Sequence, residues 1–158
     1  MDATQQDMLR RILTECRVLS LAVTVDDAPY AGLLPFAVRP DFGAFYIHAS
    51  GLARHSRGLG EGTSFGLVVH LPDRPDADPL QLPRVTLHGT VRLLDKGTPA
   101  YEEGRARYVE KFPKSAQVFG LGDFNLYALE TEGGRLITGF GGALNIGPRT
   151  LAEVAGGA

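Results

Sequence analysis

Between Val18 and Ala49 the chain sets three apolar, β-rich stretches between two short polar turns, and this rhythm limits the fold more than any other feature. Val18-Leu19-Ser20-Leu21-Ala22-Val23-Thr24-Val25 reads as a strand. Asp26-Asp27-Ala28-Pro29 is a turn whose exit is marked by Pro, which pre-sets φ for a turn. Residues 30–39 follow as a second strand, so 18–39 is a predicted hairpin. Pro40-Asp41-Phe42-Gly43 makes the next turn and 44–49 the third strand. With 20 Gly, 10 Pro and no Trp, the composition also favours a turn-rich β architecture over a helical bundle.

The flanking segments read differently. In residues 3–16, Met8, Leu9, Ile12, Leu13 and Cys16 fall on one stripe of an amphipathic helix. Ser50 is a candidate N-cap for a short helix over about 52–59. Residues 63–71 form a buried strand, the Pro-rich 72–79 a loop, and Arg84–Leu94 a long strand. Thr98 opens a helix with acids early and bases late, an order that suits the helix dipole, and Pro113 stops it. Two final strands, near 124–131 and 135–140, are expected to be joined by a hairpin at Glu132-Gly133-Gly134. The tail 147–158 is small and Gly/Ala-rich and is expected to fray. The prediction is one domain over 1–158, with a core at about 18–146. The class is mainly β with flanking helices (α+β), an antiparallel sheet able to close into a barrel.

Composition excludes several functions. Sixteen basic residues are interspersed with eighteen acidic ones for a net charge of −2, so no run can track a nucleic-acid backbone. No apolar run approaches the roughly 20 residues of a membrane span. The start lacks the pattern of a signal peptide, and Cys16 is the only cysteine, so the expected location is the cytoplasm. No His or Cys pair has metal-ligand spacing, and no metal site is expected. His48, His70 and His88 read as half-buried, hydrogen-bonded strand histidines, with His48 closest to the candidate site. Gly58-Leu59-Gly60-Glu61-Gly62 follows a helix and lacks the Lys-Ser/Thr ending of a phosphate loop.

Chemistry concentrates in 44–57. There a strand delivers Ile47-His48-Ala49 to a capped turn and a helix start, where unpartnered amides attract anions. Ser50 and Ser56 add hydroxyls, Arg54 a planar cationic fork, and His55 and Arg57 further donors.

Leu52-Ala53-Arg54-His55-Ser56-Arg57-Gly58-Leu59 resembles the Leu-Ala-x-His-Thr-x-Asn-Leu motif of the haem-utilisation branch of the pyridoxamine phosphate oxidase-like FMN-binding split barrels. Three further segments match that family in order. They are Pro29-Tyr30-Ala31-Gly32-Leu33-Leu34-Pro35-Phe36-Ala37, Pro83-Arg84-Val85-Thr86-Leu87-His88-Gly89, and Gly122-Asp123-Phe124-Asn125-Leu126-Tyr127 with Gly139-Phe140-Gly141. The resemblance implies a six-stranded split β-barrel that forms a homodimer, with the ligand cleft at the subunit interface. It implies FMN phosphate held at 48–57, by His48, Ser50, Arg54, His55, Ser56 and Arg57, and a cleft lined by Arg84 and Asp123. The function implied is an FMN-dependent oxidoreductase acting on a small molecule. Two alternatives stand beside it: a haem-binding protein without flavin, and a non-enzymatic dimeric barrel for a small ligand. The sequence departs from the motifs at Gly58, which replaces Asn, and on the second strand, where Gly32 and Ala37 stand in place of basic phosphate ligands. No histidine follows His88, where haem-degrading members carry an iron ligand near the C-terminus.

Overall fold

The structure is a computed structural model and describes residues 1–139 and 141–157. Helix α1 (Ala3–Glu15) forms where the periodicity places it. The Asp2 carboxylate accepts from the Gln5 amide at 2.9 Å, and the Gln5 side chain accepts from the Asp2 amide at 2.9 Å. This reciprocal box satisfies donors that a helix start leaves open. Leu9, Ile12 and Leu13 form its buried face.

The strands are β1 (Val18–Val25), β2 (Ala28–Pro35), β3 (Ala37–Val38), β4 (Ala44–Ser50), β5 (Ser64–His70), β6 (Arg84–Leu94), β7 (Phe124–Gly139) and β8 (Gly142–Ile146). They form one sheet in the order β2-β1-β5-β6-β7-β4-β3, with β8 added to β7, and every pairing is antiparallel. The fold is therefore mainly antiparallel β with flanking helices, as expected. The six long strands make its body, and β3 and β8 are short additions. The sheet is not closed, because β2 and β3 each pair on one side only.

Alternation decides what is buried. Leu19, Leu21, Val23, Phe45, Ile47, Phe65, Leu67, Val85 and Leu87 point to a first core that the apolar face of α1 joins. On the opposite face of β4 and β7, Tyr46, Leu126 and Ala128 meet a second core. Tyr101 and Tyr108 of helix α2 (Pro99–Lys111) and Phe119 of the 3-10 helix Pro113–Gly120 cover it. None of the helices is long and apolar enough to cross a membrane.

Three expectations fail. The second strand does not run to 39, since β2 ends at Pro35 and Ala37–Val38 pair with β4. Glu132-Gly133-Gly134 is not a hairpin, since β7 runs unbroken through it. The register passes from Gly89↔Thr131 to His88↔Gly133, leaving Glu132 as the extra residue of a bulge. Close approach explains the glycines: a Cβ on Gly134 would meet the Thr86 carbonyl oxygen, and one on Gly89 the Glu130 carbonyl oxygen. The hairpin lies instead at 139–142, with positive φ at Gly139 and Gly141. Phe140, in the middle of the Gly-Phe-Gly segment, lies outside the described residues.

The tail does not fray either. It forms helix α3 (Pro148–Gly156), with Pro148 in the first turn, where its missing N–H costs nothing. Leu151 and Val154 are buried in the first core, and Arg10 Nη2 donates to the Val154 carbonyl at 2.5 Å. Small residues dominate the composition of the tail, but these two apolar side chains at i and i+3 are enough to dock it.

Truncating Leu151, which is 0% exposed, should leave a cavity. We expect Leu151→Ala to lower the unfolding free energy by about 2–4 kcal/mol in urea titrations. A loss under about 0.5 kcal/mol would mean that α3 is not docked.

Candidate functional site

β4 ends at Ser50, and the chain turns into a 3-10 helix, Arg54–Gly58. The expected helix over 52–59 with a Ser50 cap is thus corrected: the helix is one short 3-10 segment whose N-cap is Ala53, without a side-chain cap bond. Ser50 does accept an amide, that of Leu52 at 3.2 Å, but within the turn that precedes the helix.

The turn uses most of its donors on itself. The Gly51 amide donates to the Asp123 carbonyl at 2.6 Å and the Ala53 amide to the Ser50 carbonyl at 3.1 Å. Ser50 Oγ donates to Asp123 Oδ2 at 2.9 Å, and Ser56 Oγ to the Ser50 carbonyl at 2.6 Å. Arg57 is paired with Asp26 at 2.5 Å, an exposed contact of small energetic weight. What remains is Arg54, stacked over Tyr30 at 5.4 Å, and the amides of Arg54 and His55, which donate to none of the described residues. Asp123 also sets a carboxylate where a phosphate is expected, and like charges repel.

His55 and Gly32 explain each other. Gly32 shares the core-facing parity of Tyr30 and Leu34, and a Cβ on it would lie 3.3 Å from His55 Nδ1. The imidazole therefore fills the space a side chain on β2 would need. Its Nε2 is buried and has no hydrogen-bond partner among the described residues, and burial lowers its pKa, which keeps the ring neutral. Gly58 is constrained likewise, since a Cβ there would lie 2.7 Å from the Thr24 carbonyl oxygen of β1.

His48 belongs to the second core. Its ring stacks on Phe119 at 3.8 Å and 5°, with Phe124 at 5.2 Å, and it is only 7% exposed. Burial, and secondarily the charge of Lys96, pushes its pKa down to about 4, so the ring is neutral and inside rather than half-buried at a site.

Arg84 lies elsewhere. In the β6–β7 ladder Leu94 pairs with Leu126 near the Ser50 turn, while Arg84 pairs with Ile137 at the far end. At about 3.3 Å per residue, the ten steps between them span roughly 33 Å. The structure gathers Ser50, Arg54, His55, Ser56, Arg57 and Asp123 at one end of the sheet and leaves Arg84 at the other.

At that other end Arg84 is the cross-strand partner of His70, and its guanidinium donates to the carbonyls of Leu82 at 2.9 Å and Leu80 at 3.4 Å. His70 Nδ1 lies 2.8 Å from the Leu71 carbonyl oxygen. A carbonyl has no proton to give, so Nδ1 carries the hydrogen and Nε2 keeps its lone pair. Beside this ring is a groove of ≈ 500 Å³, walled by Val18, Leu71 and Pro72, with Arg11, Arg17 and Glu15 at its rim. A second cleft, ≈ 570 Å³ and bounded by the 72–83 loop, shares Arg11, Leu71 and Pro72 with it. Arg17 sits over Phe112 at 5.1 Å and has no carboxylate partner among the described residues. Cys16 Sγ donates to the His70 carbonyl at 3.2 Å, and burial raises the thiol pKa. His70 is exposed, and His88 is exposed too, so the expectation of half-buried histidines fails for both. His70 ends its strand directly before Leu71-Pro72, where the Leu71 carbonyl meets the ring.

No family model and no curated protein sequence matches the chain. Solved structures do. A haem-binding protein from Mycobacterium smegmatis superposes with a TM-score of 0.83 at 21% identity, over 97% of this chain and 62% of that one. HutZ, the haem storage protein from Vibrio cholerae, gives 0.70 at 18% identity, over 80% and 89% of the two chains. An FAD and haem binding protein from Mycobacterium smegmatis gives 0.57 at 18% identity, over 82% and 66%. At these identities the likeness is one of fold. This chain spans about three fifths of the length of the first of them.

The buried His48 makes a pH prediction. Its folded pKa of about 4 lies below the unfolded value of about 6.5, so between these values the unfolded chain holds a proton that the folded chain refuses. Stability carries no such penalty above pH 6.5 and falls as pH drops towards 4, by roughly 3 kcal/mol from this group. His48→Phe should remove that share of the pH dependence in unfolding titrations at pH 7 and pH 4.5. Identical losses in both proteins would show that His48 titrates as an exposed histidine.

Proposed function

We propose that this chain is a haem-binding protein on a split-barrel scaffold, working as a homodimer. The observation that carries this reading is the self-satisfied turn at 50–57. Its hydroxyls, the amides of Gly51, Leu52, Ala53 and Ser56, and Arg57 already have partners, and the Asp123 carboxylate stands against the anion that FMN would bring. Haem makes no demand on a phosphate grip. It needs an apolar wall, an axial side-chain ligand and cations for its two carboxylates. Val18, Leu71 and Pro72 offer the wall, exposed His70 and His88 offer imidazoles, and Arg17 is a cation without a carboxylate partner among the described residues. The names of the similar structures support the same ligand. Bound haem would supply iron-centred chemistry, and the protein would supply the ligand, the wall and the counter-charges. The reading as a cytoplasmic protein rests on the lone Cys16.

A flavin is the second reading, favoured by Arg54 and the two open amides beside it. In that case phosphate would rest on Arg54 and the amides of Arg54 and His55, and the ring would carry the redox chemistry of an FMN-dependent oxidoreductase.

The dimer rests on the outer face of β1, β2 and β5. There Val18, Ala22, Ala31, Leu33 and Val68 share one side of the sheet, with Leu33 68% and Val18 46% exposed. A contiguous exposed apolar patch of this kind marks an interaction surface.

Two measurements test these readings. Adding hemin to the purified protein should give a saturable, protein-bound Soret band, while FMN fluorescence should stay unquenched at micromolar protein. Saturable quenching of FMN with no hemin band would replace haem by flavin. Sedimentation should show a dimer that Leu33→Asp converts to monomer, and a monomeric starting protein would remove the dimer.

A further inference from the structure

We infer that the haem iron is held by His70, in the groove between the end of α1 and the exit of β5, with the haem carboxylates on Arg17 and Arg11. This rests on the haem reading and adds a location to it, at the opposite end of the sheet from the 50–57 turn.

Each of the other histidines lacks something an iron ligand needs. His48 is stacked on Phe119 inside the second core. His55 lies against Gly32 with Nε2 enclosed, so no macrocycle reaches it without parting the 3-10 helix from β2. His88 is exposed but stands on the open outer face between Gly66 and Gly133, and it lines none of the main cavities.

His70 combines three independent features. Its Nδ1–H is committed to the Leu71 carbonyl, which fixes the ring and leaves the Nε2 lone pair for a metal. Metal-ligating histidines almost always have such a carbonyl or carboxylate behind them, because it sets the tautomer and raises ligand basicity. The ring borders ≈ 500 Å³ of groove that continues into ≈ 570 Å³ more, each within the usual size of a ligand cavity. The charged groups at the rim are Arg11, Arg17 and Glu15, two cations to one carboxylate. Arg17 is held over Phe112 with its N–H groups uncommitted to any described carboxylate. Arg11 is bonded only to Glu15, at 3.3 Å in an exposed i,i+4 pair, and such a pair is weak enough to be exchanged for a propionate. Arg84 and Cys16 act as positioning residues. Arg84 ties the chain at Leu80 and Leu82 to β6, and the Cys16 thiol fixes the His70 backbone carbonyl.

The test is a hemin titration of wild type, His70→Ala and His88→Ala, read by the Soret band and by electron paramagnetic resonance of the ferric state. His70 is exposed, so His70→Ala should keep the wild-type circular dichroism and unfolding midpoint. It should bind hemin on the order of tenfold more weakly or worse, with a displaced Soret band that free imidazole restores. His88→Ala should match wild type. Equal binding and an unchanged spectrum in His70→Ala would overturn the site while leaving the haem reading standing, and so would loss of the band in His88→Ala alone. Absence of any bound band in wild type would instead remove the haem reading itself.

Discussion

The sixteen-residue strand β7 is the member on which the rest of the structure depends. It pairs with β6 along its length, with β4 before its bulge and with β8 after it. The bulge at Glu132 changes which residues face inward, from Tyr127, Leu129 and Thr131 to Gly134 and Leu136. A one-residue slip in a strand turns every later side chain to the wrong face. Glu132 supplies that slip deliberately, so one strand serves two stretches of sheet that need opposite parities. Thr90 Oγ1 donates to the Glu132 carboxylate at 2.5 Å and holds the bulged residue.

This strand also separates two places where a ligand could bind. Near its start lies the 50–57 turn, tied to Asp123 through Ser50 and Gly51. Near its far end lie Arg84 and His70. A hydrogen bond inside the chain contributes about 1 kcal/mol net, so a phosphate entering the turn must replace several such bonds and also displace a carboxylate. The groove at His70 also holds a carboxylate, Glu15, but the exchange there is that of one exposed arginine pair. The proposed haem reading rests on that difference in committed donors.

Much of the fold could be read from the sequence, because alternation in β1, β5 and β6 is regular and the turns between strands carry Pro, Asp and Gly. The errors have local physical causes. Gly133-Gly134 looks like a hairpin because glycine marks turns, whereas here it permits close contact of β7 with β6. The tail looks frayed because its composition is small, whereas Leu151 and Val154 dock it. At the candidate site, residue types alone showed which donors exist but not which were already used. Ser50, Ser56 and Arg57 are polar in the sequence and partnered in the fold. Gly32 looked like a missing ligand, and the reason for it, the His55 ring, is a contact between residues 23 positions apart. No residue near His70 in the sequence has ligand spacing, so the sequence does not single it out. The role proposed for it rests on a carbonyl one residue on and a groove built from α1 and the loop after β5.

The most direct test of this account is an amide-resolved NMR titration of the protein with ferric hemin. Paramagnetic broadening should centre on residues 15–18 and 70–72 and leave the amides of 50–57 sharp. Broadening centred on 50–57, with 70–72 unaffected, would contradict it.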